Sequence, residues 1–178
     1  MIDTNSIVQL KIDRKDVCLH HPNDNYWIKT ITIHTLEENK NHIESVIKYH
    51  HEDLIWDGIT TLEIVKERIE FGSILHLMMF KNKSVGWFWA NSNCISIDWK
   101  SYYNNLDKDA VYVGGAFLSR KNKPSKDSAF IYYRQGIDYI LDFHKSDIMY
   151  LYSDDWNRAS AILCYKCGFS KYNFLKEE

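Results

Sequence analysis

Ile148-Met149-Tyr150-Leu151-Tyr152 is an unbroken run of large apolar and aromatic side chains, set between two stretches patterned for helix. An alternating strand can leave one face in water. A strand that is apolar on both faces has to be covered on both, which places it in the middle of a sheet with helices above and below. The helix before it is predicted over Ser128 to His144, with Ala129, Tyr133, Ile137, Ile140 and Leu141 on one side. The helix after it is predicted over Asn157 to Lys166, where Asn157 can cap the start and Gly168 lies just past the end.

The remaining chain supplies partners for that strand. Val8–Ile12 alternates like a half-buried strand, Val17-Cys18-Leu19 can return as a second, and Ile28–His34 is rich in β-branched residues. Two helices are expected at Asn41–His51 and Thr61–Phe71, with Ile43, Val46 and Ile47, then Leu62, Val65 and Ile69, as their apolar faces. A hairpin follows, Ile74–Phe80 and Val85–Ala90, joined by Lys81-Asn82-Lys83-Ser84. A further strand is expected near Cys94–Ile97, a clear one from Ala110 to Leu118, and a last one from Phe169 to Leu175. The order predicts one domain over residues 1–178, an α/β fold with a mixed, twisted central sheet and helices on both faces. Residues 1–25 are expected to be an N-terminal strand or hairpin extension of it.

Composition narrows the function classes. A net charge of −2 lacks the basic excess of a nucleic-acid binder and offers no general attraction to anionic membranes. No apolar run reaches the ~18–20 residues that span a bilayer, and the start at Met1-Ile2-Asp3 has no signal-peptide pattern. The 4 cysteines therefore read as reduced thiols of a cytoplasmic protein. Cys164-x-x-Cys167 can be read as a zinc or redox pair, or as two small residues packed in a helix. It has no second pair at zinc-ribbon spacing, which favours packing and predicts no metal.

The segment Asn157-Arg158-Ala159-Ser160-Ala161-Ile162-Leu163-Cys164-Tyr165-Lys166-Cys167-Gly168-Phe169 resembles the C-terminal motif of the GNAT superfamily of N-acyltransferases. In that family an Asn opens the last helix and a Gly-Phe pair closes it, and the element order from Ile28 to Leu175 matches the family as well. The resemblance implies a pair of parallel central strands, Ala110–Leu118 and Ile148–Tyr152, that splay apart. It implies acetyl-CoA or another short acyl-CoA as co-substrate, its pantetheine arm meeting backbone groups near Phe117 and Leu118 and, from the other side, Asn157.

The pyrophosphate would then sit where Ser119–Ser128 leads into a helix, because unpaired amides at a helix start attract anions. Lys123, Ser125, Lys126, Asp127 and Ser128 are the expected contacts. This loop departs from the family pattern, since Lys123, Lys126 and Ser128 stand where Gln or Arg, Gly, and Gly or Ala are usual. Its lysines can compensate by charge, and the other reading is a solvated charged loop.

The chemistry implied is direct attack of an amine on the thioester in a ternary complex. Many members carry a Tyr seven residues after the Asn. That place holds Cys164 here, and Tyr165 comes one later, turned by ~100°. Tyr165 is the leading acid candidate, against a packing role with a surface-facing hydroxyl. Asp57 and Glu52 are candidates for the base, with Asp53, His50 and His51 close by, against a role as helix-end surface groups.

With 6 Trp and 12 Tyr, an aromatic wall of Trp56, Trp87 and Trp89, with Trp99, Tyr102 and Tyr103 near it, would suit a sugar or nucleobase. The favoured acceptor is a primary amine on a small molecule, foremost a nucleotide-linked amino sugar. Polyamines, aminoglycosides and protein amines are the alternatives, and a non-catalytic acyl-CoA-binding protein is the reading from another class. The long connection from Asn91 to Asp109 can cover the acceptor or join two copies in a homodimer.

Overall fold

Tyr132, Tyr133, Gly136, Ile137, Ile140 and Leu141 recur at helical spacing and are all buried on one side of α3 (Ser128–His144). The computed structural model describes residues 7–17, 25–53, 60–92, 94–96, 102–104, 107, 109–125, 127–154 and 157–172. α3 shares its face of the sheet with α4 (Arg158–Lys166), which turns Cys164 inward. The other face is covered by α1 (Lys40–Asp53), through Ile43 and Val46, and by α2 (Leu62–Glu70), through Val65 and Ile69. Thr61 caps α2, its Oγ1 accepting from Ile64 N at 3.3 Å.

Between these layers lie β1 (Ile7–Asp13), β2 (Tyr26–Ile31), β3 (Ile74–Phe80), β4 (Lys83–Ser92), β7 (Ala110–Val113), β8 (Phe117–Leu118), β9 (Ile148–Asp154) and β10 (Ser170–Lys171). The order across the sheet is β10-β1-β9-β7-β4-β3-β2, with β8 continuing along β4. β7 and β9 run parallel, and the other pairs in the sheet are antiparallel. On β4 the pleat sends Phe88 and Ala90 toward α3 and α4, and Trp87 and Trp89 toward α1 and α2. The expected mixed α/β fold with helices on both faces is what forms.

Some elements follow the expectation and others differ. β1 joins the sheet as the expected N-terminal strand, pairing with β9 from Ile7↔Asp154 to Asp13↔Ile148 and with β10 on its other edge. Burying both faces of β9 leaves its second edge to be paired, and the N-terminal strand does it. The strand expected from Ala110 to Leu118 breaks into β7 and β8. Ile28–His34 shifts to β2, ending at Ile31, where Thr32 and Thr35 form a turn.

Val17 closes a short helical turn where a strand start was expected, and Cys18 and Leu19 lie outside the described residues. The strand near Cys94 is one arm of a separate hairpin, β5 (Cys94–Ser96) with β6 (Tyr102–Asn104). Of the last expected strand, Ser170 and Lys171 pair with β1 while Phe169 fills the core. No helix among the described residues is long and apolar enough to cross a membrane.

Candidate functional site

The ladder between the two parallel strands stops early. β7 pairs with β9 from Ala110↔Ile148 to Val113↔Leu151, and among the described residues the rest of β9 pairs only with β1. β4 opposes Val113 with Ala90 and Phe117 with Trp87. Phe88 and Trp89 on β4 thus face Gly114, Gly115 and Ala116, one residue more, which is a bulge. Gly115 takes φ 80°, a conformation that favours glycine. Gly114 N donates to Trp89 O at 2.9 Å, and Ser119 N to Val85 O at 2.9 Å, so the chain beyond the bulge stays on β4. β8 therefore leans away from β9, and no ladder joins the two among the described residues.

The loop after β8 is braced from inside. Ser119 is fully buried, and its Oγ donates to Asp53 Oδ2 at 2.8 Å while Arg120 N donates to the same oxygen at 2.6 Å. Ser119 Oγ in turn accepts from Asn122 N at 3.1 Å. At the far end, Ser128 Oγ accepts from Ser125 N at 2.8 Å and lies 3.4 Å from Tyr26 Oη. Asp127 begins α3 without a side-chain cap; its carbonyl accepts from Phe130 N and Ile131 N. An uncapped helix start, with Arg120, Lys121 and Lys123 on the loop leading into it, is chemically suited to phosphate oxygens. The Asp127 carboxylate would oppose a phosphate, so any help from that residue is by its backbone.

On the α1 side, the His50 ring meets Phe117 edge-on at 4.8 Å between centroids and Trp87 at 5.4 Å. Burial first, and then the nearby His51, push His50 down to about 4, so it is neutral near pH 7. Arg68 on α2 lays its guanidinium over Trp89, with Cζ 4.3 Å from the ring centroid, and Nη2 donates to Gly114 O at 3.0 Å.

Solved structures share this fold at low identity, three among them as follows. A functionally unknown conserved protein from Staphylococcus epidermidis ATCC 12228 matches with a TM-score of 0.60 and 11% identity over 93% of this chain and 57% of its own. A GCN5-related glucosamine N-acetyltransferase region of a fungal multi-domain β-N-acetylglucosaminidase matches with 0.57 and 10%, over 93% and 20%. An aminoglycoside acetyltransferase from an uncultured soil metagenomic sample, in complex with sisomicin, matches with 0.54 and 9%, over 87% and 92%. This chain has the GNAT fold. It thus spans little more than half of the Staphylococcus chain and a fifth of the fungal one. No family model matches the sequence, and no curated protein does either.

Within this GNAT fold the residues singled out from sequence fall in different places. Phe117 and Leu118 form β8, beside the parting of the strands. Asn157 follows the parted end of β9, where its Oδ1 accepts from Ser160 N at 3.2 Å as the cap of α4. Lys123 and Ser125 lie on the loop before α3, and Ser128 faces inward as its brace.

Tyr165 is 45% exposed on the outer side of α4, whereas Cys164 packs inside, its thiol pushed up to about 12 chiefly by burial. Such a thiol is packing, not a nucleophile. Glu52 reaches solvent beside Lys48, 3.9 Å away. Trp87 and Trp89 are 3% and 2% exposed, so both rings serve the core and offer almost no surface to a ligand. Trp56, Asp57 and Lys126 lie outside the described residues.

Arg68, and the use of Asp53 as a brace, escaped the sequence reading. A half-apolar helix with one Arg gives no sign of what that Arg meets across the sheet.

Proposed function

We propose that this chain is an N-acyltransferase that moves an acetyl or other short acyl group from CoA to a primary amine of a small molecule, foremost an amino sugar. The observation that carries the reading is the parting of β8 from β9 beyond Val113 and Leu151, directly ahead of a cationic loop and an uncapped helix start. A strand edge outside any ladder suits the amide groups of a pantetheine arm. Lys123 and the α3 start suit its phosphates, and Asn157 borders the other wall.

In the reaction the amine lone pair attacks the thioester carbonyl, the C–N bond forms, the C–S bond breaks, and the proton on nitrogen has to leave. Asp53 is already committed to Ser119 and Arg120. Glu52 stands in solvent. His50, named beside these carboxylates from the sequence, is neutral and packed on Phe117 and is the proposed proton acceptor; its low basicity suits passage of the proton to water rather than retention. The amino-sugar preference draws on the glucosamine and aminoglycoside enzymes that share the fold.

Calorimetric titration of the full chain with acetyl-CoA and with free CoA tests the reading. Micromolar binding of both is expected, and binding of neither would overturn it. Thiol release in the presence of glucosamine-type, nucleotide-linked and polyamine amines then separates the acceptor classes.

A further inference from the structure

Arg68 belongs to α2 by sequence but acts on the bulge. Its Nη2 donates to Gly114 O at 3.0 Å, and its Cζ stands 4.3 Å from the Trp89 ring centroid. A Cβ built on Gly115 would lie 3.4 Å from Nη1. These contacts put a cation where the β7–β9 ladder ends and the two strands part.

The peptide it holds is the least restrained kind in a chain. All peptide bonds described are trans, and in a trans peptide the C=O and N–H point in opposite directions. Fixing Gly114 O toward α2 therefore aims the Gly115 N–H away from α2. Both flanking residues are glycine, so little in their own backbones resists rotation of that unit. A flip would put a carbonyl where an N–H now points and reverse the dipole presented there.

We infer that Arg68 is a positioning residue for acyl transfer, holding the Gly114–Gly115 peptide in one orientation at the point where the parallel strands part. The inference rests on the acyl-CoA reading of that gap. Charge builds on the thioester oxygen during attack, and a carbonyl dipole turned toward it would oppose the reaction. The guanidinium also polarises the peptide it binds, which strengthens the opposite N–H as a donor. Stacking on Trp89 keeps the cation in place.

The test compares wild type, Arg68→Gln and Arg68→Lys as full chains. In the absence of ligand, the amide resonances of Gly114 and Gly115 and their hydrogen exchange should change in Arg68→Gln and return most of the way in Arg68→Lys. Acetyl-CoA affinity should stay within about twofold, because the phosphate loop and β8 are untouched, while kcat falls about 100-fold in Arg68→Gln and about tenfold in Arg68→Lys. Unmoved glycine amides, an unchanged kcat, or a parallel fall in affinity and turnover would each overturn the inference. If Arg68→Gln does not fold, the Lys variant carries the same comparison. Failure of wild type to bind acetyl-CoA would instead sink the acyl-CoA reading, and the glycine amides would report separately on the clamp.

Discussion

The ladders on both edges of β4 contain a bulge, one on β4 itself and one on the strand opposite, and the two have opposite consequences. Against β3, Met78 faces Gly86 and Met79 faces Ser84, so Val85 is the extra residue; the ladder resumes at once and the sheet stays closed. Against the β7–β8 segment, Gly114–Ala116 face Phe88 and Trp89, and the strand beyond them separates from β9. β2 beyond the first bulge follows β3 as far as Tyr26↔Phe80. β9 beyond the second is held by β1 along its whole length and does not follow. A bulge opens a sheet only when the next strand is anchored elsewhere.

Gly86 flanks the first bulge and pairs with Leu118 just beyond the second, and it gives the largest expected effect. A Cβ there would collide with Phe117 O, stand 2.9 Å from Leu118 Cα, and lie 3.1 Å from Met78 Sδ. The flexible Met78 tip can move, but the β8 backbone cannot do so without leaving β4. Gly86→Ala should cost about 2–3 kcal/mol in stability by thermal or urea unfolding. Amide exchange should rise in β8 more than in β3. Equal loss of protection on both edges would show that the two bulges are not independent.

Acid should act on the closed side. His76 on β3 is fully buried, its Nδ1 lies 2.9 Å from Thr30 Oγ1, and its Nε2 has no hydrogen-bond partner among the described residues. Burial, then the neighbouring His144, push it down to about 3, and burial pushes His144 to about 4. A histidine depressed in the folded state contributes stability that is whole above its ordinary pKa of about 6.5 and is lost as pH falls toward the folded value. Stability should thus drop by roughly 1.4 kcal/mol per pH unit for His76, and by less for the partly exposed His144, from pH 6.5 downward. The slope should shrink in His76→Asn, and a flat profile between pH 6.5 and pH 4.5 would count against the burial argument.

Asp53→Ala removes the acceptor for Ser119 Oγ and Arg120 N on the open side. Its expected cost is about 1–2 kcal/mol, with a several-fold loss of acetyl-CoA affinity measured by calorimetry. Loss of stability at unchanged affinity would detach the brace from the proposed site. Tyr165→Phe should change least, within about twofold in turnover, because its ring lies on the outer side of α4. A fall of tenfold or more in a thiol-release assay would restore Tyr165 as the proton donor.

The helices were readable from the chain itself. α3 runs over the predicted residues, α4 starts at its Asn157 cap, and the turn between β3 and β4 falls at residues 81–82, inside the predicted link. Each of these depends on neighbours within about four positions, where periodicity and capping chemistry act.

The gap was legible only through the resemblance. Ala110–Leu118 reads as one strand, because a register shift against β4 leaves no trace in the strand's own alternation. The place of β1 between β9 and β10, the use of Asp53 to brace the loop, and the reach of Arg68 to Gly114 join positions far apart in sequence. The sequence by itself determined helices α1 to α4, the central strands and which of their faces are apolar. Tertiary structure decided which strand edges meet and where they part, because pairing depends on partners that local pattern cannot name.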